Sequence, residues 1–136
     1  MADFKLFFPK IIKNEGFYSN DAADSGGETV YGLIRSSDKD WSGWKVVDNY
    51  KSKSGFPKNL ENVKEELKEM AFPFYKKKYW DKIRGDEILS QEIAESICDF
   101  GINAGQSQSL KLAQRSLGLP ETGKMDDITL NKLNNK

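Results

Sequence analysis

The residues best suited to chemistry in this chain are carboxylates. Glu15 opens a polar stretch that runs to Gly32, and Asp21 and Asp24 follow it by six and nine residues. Carboxylates held near one another in unlike settings perform general acid and base work, one protonated and the other ionised. Other acid–base chemistries are poorly supplied. The chain has no histidine, which excludes Ser-His-Asp and Cys-His catalysis and every His-ligated zinc site. Its single cysteine, Cys98, sits in an apolar helical pattern and reads as a small buried residue rather than a nucleophile.

The elements that must position these groups can be read from periodicity. Placed on a helix at about 100° per residue, Phe4, Phe7, Phe8, Ile11 and Ile12 form one stripe, and Glu15 lies about 20° from Phe4 within it. A carboxyl at the end of an apolar face is costly to ionise, so its pKa is expected to rise toward neutrality, as a general acid requires. Asp3 is a candidate cap for this helix, and Pro9 predicts a kink or a regular start near Leu6. Beyond Glu15 the glycines at 16, 26, 27 and 32 and the turn formers Asn20, Asp21, Asp24 and Ser25 predict a loop. Val30 to Ile34 then reads as a short extended run. The expectation is a helix ending in Glu15, a polar turn, and a small strand or hairpin.

Composition narrows the class. The chain has 136 residues, 38% hydrophobic and 31% charged, which suits one domain or a domain with a small appendage. Lysine plus arginine and aspartate plus glutamate both number 21, so a strongly basic nucleic-acid binder is not indicated. The N-terminal apolar segment is broken by Lys5, Pro9 and Lys10 and does not read as a signal peptide. No run approaches the roughly 18 apolar residues of a spanning helix. Synthesis in the cytoplasm is expected, with release or export by other means if the target lies outside.

Further along, residues 35–59 read as polar and irregular, with Trp41, Trp44 and Tyr50 as packing anchors or, alternatively, sugar-stacking platforms. Residues 58–71 read as a helix, with Pro73 expected to break or restart it. Residues 87–104 predict a central helix with Leu89, Ile93, Ile97, Phe100 and Ala104 inward. Beside that stripe, Asp99 and Asn103 are spaced i, i+4, to line a cleft or to make a helix-end hydrogen bond. Two further helices are expected over 106–118 and from Asp126 to Leu133.

These residues carry a resemblance. Glu15-Gly16-Phe17-Tyr18, Asn20-Asp21, Asp24, Gly26-Gly27, Thr29 and Tyr31-Gly32 resemble the E-G-G-Y…N-D…D…G-G…T…Y-G signature of glycoside hydrolase family 108, the N-acetylmuramidases of phages and bacteria. The resemblance continues through Tyr79-Trp80-Asp81 and Asp99 to Gly105. Leu112 to Gly118 resembles the family's C-terminal peptidoglycan-binding region. Two departures stand out: Phe17 occupies the place of a second glycine, and Gly123 to Asp127 lacks the usual D-G-x-x-G-P turn.

The resemblance implies a mainly α (α+β), lysozyme-like fold, with helices around a small β hairpin. It implies a catalytic region over 1–86 and a helical peptidoglycan-binding region over 87–136, together one compact unit. It implies hydrolysis of the β-1,4 bond between N-acetylmuramic acid and N-acetylglucosamine. Glu15 would be the general acid. Asp24, at the nine-residue spacing of phage-type lysozymes, would rank above Asp21 as the second carboxylate, and Thr29 would place water. Tyr18, Asn20, Asp21, Tyr31 and Asn103 would contact substrate. No metal or cofactor is implied. The expected partner is the peptidoglycan glycan strand, not nucleic acid or membrane, and the expected state is a monomer of phage or prophage type. The competing readings are a non-catalytic wall-binding or secretion-assisting protein and a lytic transglycosylase.

Overall fold

The computed structural model describes residues 1–20 and 27–135. Asp21 and Asp24, and the side chains of Asn14 and Glu15, lie outside the described residues. The chain divides into two units, one made of residues 9–74 and the other of residues 1–8 with 75–136.

Helix α1 spans Phe4–Glu15. Asp3 caps it: its Oδ1 accepts the Lys5 backbone N–H at 2.9 Å, satisfying one of the unpaired donors of the first turn. Phe4, Phe7, Phe8 and Ile11 of the predicted stripe are buried, and Ile12 is half-buried. Pro9 sits inside the helix on its exposed side, and the helix starts at Phe4 rather than at Leu6. Gly16, at φ 70°, ends it in the left-handed conformation that glycine adopts without steric cost.

In the unit of residues 9–74, three short strands form an antiparallel sheet in the order β1 (Tyr18–Asn20), β2 (Glu28–Val30), β3 (Leu33–Ile34). Tyr18 pairs with Val30, Ser19 with Thr29, and Thr29 with Ile34. The stretch after the sheet is more ordered than its polarity suggests: α2 occupies Gly43–Lys51, where an irregular segment is expected. Its buried face is only Gly43, Trp44 and Val47, too narrow to register against the surrounding polar residues. Trp41 and Trp44 are packing anchors. Their rings meet edge to face at 5.2 Å, and their indole N–H groups donate to the Met70 and Asp38 carbonyls at 3.1 and 2.9 Å. A 3₁₀ turn, Lys58–Val63, leads into α3, Lys64–Tyr75. Pro73 does not break α3; the distortion comes after it, as a π turn over Lys76–Trp80.

In the other unit Trp80 has no solvent exposure, and the Phe4 and Phe7 rings lie 5.3 and 6.2 Å from it. Its N–H donates to Asp86 at 2.9 Å. That bond and an ion pair from Lys76 outweigh partial burial and hold the Asp86 carboxyl below the usual range. Helix α4, Gln91–Ala104, is capped by Ser90 and faces α5, Gln106–Ser116. Its buried residues are Ala94, Ile97, Cys98 and Gly101, while Leu89 and Phe100 are exposed. The inward face is thus rotated from the predicted stripe toward its small residues. Gly101 faces α5 at ordinary packing distance: a Cβ there would lie 3.4 Å from the Gln106 side chain. Burial pushes the Cys98 thiol up to about 12, with the nearby Asp99 charge adding to the effect. Fully buried Gln114 ties the turn after α5 in place. Its amide donates to Thr122, Lys124 and Thr129 oxygens at 2.8–3.0 Å, and its carbonyl accepts from Gly123 N–H at 3.0 Å. Helix α6, Asp127–Asn134, is capped by Asp126.

Among the described residues the chain is therefore mainly α, six helices with one small antiparallel sheet, the lysozyme-like class expected. No described helix is long and apolar enough to cross a membrane.

Candidate functional site

Glu15 is the last residue of α1, and the reversal at Gly16 feeds directly into β1. Two contacts fix that reversal. Tyr31 N–H donates to the Phe17 carbonyl at 2.7 Å, and the Phe17 and Tyr31 rings lie 5.0 Å apart. The turn after Glu15 and the turn after β2 are therefore a single packed junction. Tyr31 itself is buried at φ 50°, and its hydroxyl donates to the Lys64 carbonyl at 3.4 Å.

Strand alternation sorts the hairpin residues. Glu28 and Val30 are buried on one face, and half-buried Thr29 lies on the other with its cross-strand partner Ser19. A glutamate in such a slot needs partners. Glu28, only 6% exposed, has three: the Tyr18 hydroxyl at 2.6 Å, the Arg35 guanidinium at 2.9 Å, and the Lys51 ammonium at 2.9 Å. Burial alone would raise its pKa; the hydrogen bonds from Tyr18, Lys51 and Arg35 outweigh burial and hold it below the usual glutamate range. The same burial and the Glu28 charge push the Tyr18 phenol well above its ordinary value. Arg35 also grips Asp48 and lies over the Trp44 ring at 4.5 Å. Strands β1 and β2 and helix α2 are thus joined by one charge network. Glu28 is ionised and pinned within it, unsuited to deliver a proton but well suited to hold the strand that carries Thr29.

Tyr18, Asn20, Thr29 and Tyr31 fall together on the sheet and its turns, in the unit that also contains the Glu15 backbone. Asn20 ends β1 and is exposed. Tyr18 directs its hydroxyl to Glu28. Asn103 lies in α4 of the other unit, exposed, where its amide donates to the Asp99 carbonyl one turn back at 2.9 Å. Sequence reasoning missed the cluster of Glu28, Arg35, Asp48 and Lys51. The available signal was a glutamate in period-two alternation with Val30, at a position where a buried side chain is expected.

A pocket of about 350 Å³ opens beside the end of α1, walled by Ile12, Lys13, Gly16, the Phe17 and Tyr31 rings, and Lys64, Glu65 and Lys68 of α3.

The family described as Glycosyl hydrolase 108 matches residues 8–105. No curated protein matches the chain. Among solved structures the fold is similar to that of SagA from Brucella abortus, at 24% identity and a TM-score of 0.67, over 98% of this chain and 69% of that one.

Proposed function

The chain belongs to the glycosyl hydrolase 108 family, and from that premise we propose that it is an N-acetylmuramidase of peptidoglycan. The observation that carries the reading is local. The family match includes the last eight residues of the helix that ends at Glu15, followed at once by a glycine reversal and a hairpin that bears Thr29. In this reading Glu15 protonates the glycosidic oxygen between N-acetylmuramic acid and N-acetylglucosamine. Asp24 stabilises the oxocarbenium-like transition state or orients water. The Thr29 hydroxyl, which both donates and accepts, places the water. The Glu28 network keeps β2 rigid behind it, so that the hydroxyl does not wander. Residues 1–86 carry the chemistry and residues 87–136 the wall contact. The protein reaches the wall by release or export.

Glu15→Gln tests the reading. The variant should keep its fold and lose roughly 10²–10⁴-fold in lytic rate on purified cell walls, the worth of a general acid. Mass spectrometry of the wild-type products should show reducing N-acetylmuramic acid ends. Anhydro ends would make it a lytic transglycosylase, and binding without any release would make it a wall-binding module. Undiminished lysis by the variant would remove Glu15 from the mechanism.

A further inference from the structure

The pocket beside α1 has a chemistry that the proposed reaction does not use. Lys13 comes from the last turn of α1, and Lys64 and Lys68 stand four apart on α3, so lysines of two helices line one space. Three lysines face a single glutamate, Glu65, a formal surplus of two positive charges in a chain whose net charge is zero. Lys64 is already engaged: it pairs with Glu61 at 3.7 Å and lies 5.1 Å over the Phe17 ring. Lys13 and Lys68 make no ion pair among the described residues. The floor is the Phe17–Tyr31 ring pair. At about 350 Å³ the space suits a small ligand.

We propose that this pocket is a peptide-stem subsite, in which Lys13 and Lys68 bind carboxylates of the short peptides carried by peptidoglycan. The proposal rests on the reading of peptidoglycan as substrate. Peptide stems carry free carboxylates, small apolar side chains and, where a diamino acid is present, an ammonium group. Each meets a match here: the carboxylates at Lys13 and Lys68, the apolar groups on Phe17 and Tyr31, and the ammonium at Glu65. The mixed wall also decides against the other anion of cell walls, the phosphate of teichoic acids. A teichoic acid backbone is a phosphodiester chain that Glu65 repels, and its only cations are alanyl esters spread along the polyol, whereas a peptide stem presents carboxylate and ammonium within one short unit. Lysine suits the task because its ammonium is a compact charge on a flexible stem, able to follow stems of differing length. The pocket shares the last turn of α1 with Glu15, so a stem seated there is held by the same helix end that would deliver the proton.

The test measures binding rather than turnover, with the full chain carrying Glu15→Gln. Its binding is measured on purified sacculi freed of teichoic acids and fixed to a surface through their glycan, and on the same fixed sacculi stripped of stems by an amidase. Intact sacculi should be bound more tightly than stripped ones, and added salt should shrink the difference. Adding Lys13→Gln and Lys68→Gln should weaken binding to intact sacculi about three- to tenfold, two modest ion pairs' worth, and bring the ratio of the two affinities near one. Lys13→Arg with Lys68→Arg should restore the ratio, which a merely misfolded variant would not do. Equal binding of both sacculi, or an unchanged ratio in the glutamine variant, overturns the proposal. So does a lysine-dependent gain seen only when teichoic acids are left in place, which would assign the pocket to phosphate. Failure of the muramidase reading shows separately, in the products released by the chain with Glu15 intact.

Discussion

The Tyr18 hydroxyl donates to the Glu28 carboxylate at 2.6 Å, across two strands and behind the residue proposed to place water. The donor is a side chain that the family resemblance would aim at substrate, and the acceptor is a glutamate that strand alternation buries on the same face as Val30. Tyr18→Phe should cost about 1.5–3 kcal/mol, one hydrogen bond to a charged group. Glu28→Gln should cost about 1–3 kcal/mol, less than for a fully enclosed ion pair because Arg35 and Lys51 still reach water. Denaturant melts read both. If either substitution is neutral, the network does not hold the sheet.

The same carboxylate sets a pH dependence. Glu28 gives up its proton more readily in the folded chain than in the unfolded one, so the unfolded chain binds more protons in the acid range. Its contribution is complete above the unfolded value near 4.3 and is lost as pH falls through the lower folded value. The stability gap between the wild type and Glu28→Gln should therefore be constant from about pH 6 upward and narrow below about pH 4. A gap that stays constant down to about pH 3 would contradict the linkage.

Substitution of Asp24 and of Asp21 separates the two candidates for the second carboxylate. Asp24→Asn should lower the lytic rate on purified walls by roughly 10²-fold or more, and Asp21→Asn by less than about tenfold. Thr29→Ser should stay close to wild type while Thr29→Ala falls, since only the hydroxyl is needed. The reverse order for the aspartates would move the role to Asp21.

Gly85 tests the packing around Trp80. A Cβ at this position would sit 2.3 Å from the indole, whose ring is enclosed and hydrogen-bonded to Asp86. Gly85→Ala should destabilise by about 1–3 kcal/mol, the usual range for overpacking, and lower the melting temperature by several degrees.

Gln114 should be harder to replace than its polarity suggests. Gln114→Leu keeps the volume but leaves the oxygens of Thr122, Lys124 and Thr129 and the N–H of Gly123 without their partner. A loss of about 2–4 kcal/mol is expected, read by thermal melts.

What the sequence made legible follows from where information is local. The first helix, its cap at Asp3 and its end at Glu15 are set by neighbours three and four residues away. The burial of Trp41 and Trp44 needed no more than their size. Helix α2 was hidden because its inward face is a glycine, a tryptophan and a valine among polar residues. The face of α4 was misjudged because periodicity weighs large side chains, whereas the buried face consists of Ala94, Ile97, Cys98 and Gly101. The Glu28 cluster gathers residues from positions 18, 28, 35, 48 and 51, and only the pairing of strands reveals that these meet. The lysine pocket is similarly non-local, built from two helices half a hundred residues apart.

The lone sulfhydryl of Cys98, walled in on α4 and reluctant to ionise, has a practical corollary. Thiol-specific reagents can reach it only when the helix pair around it opens, so the rate of labelling reports how often native molecules breathe. The same seclusion keeps intact molecules from cross-linking to each other under oxidising conditions, and any covalent dimers in a preparation count the chains that have come apart.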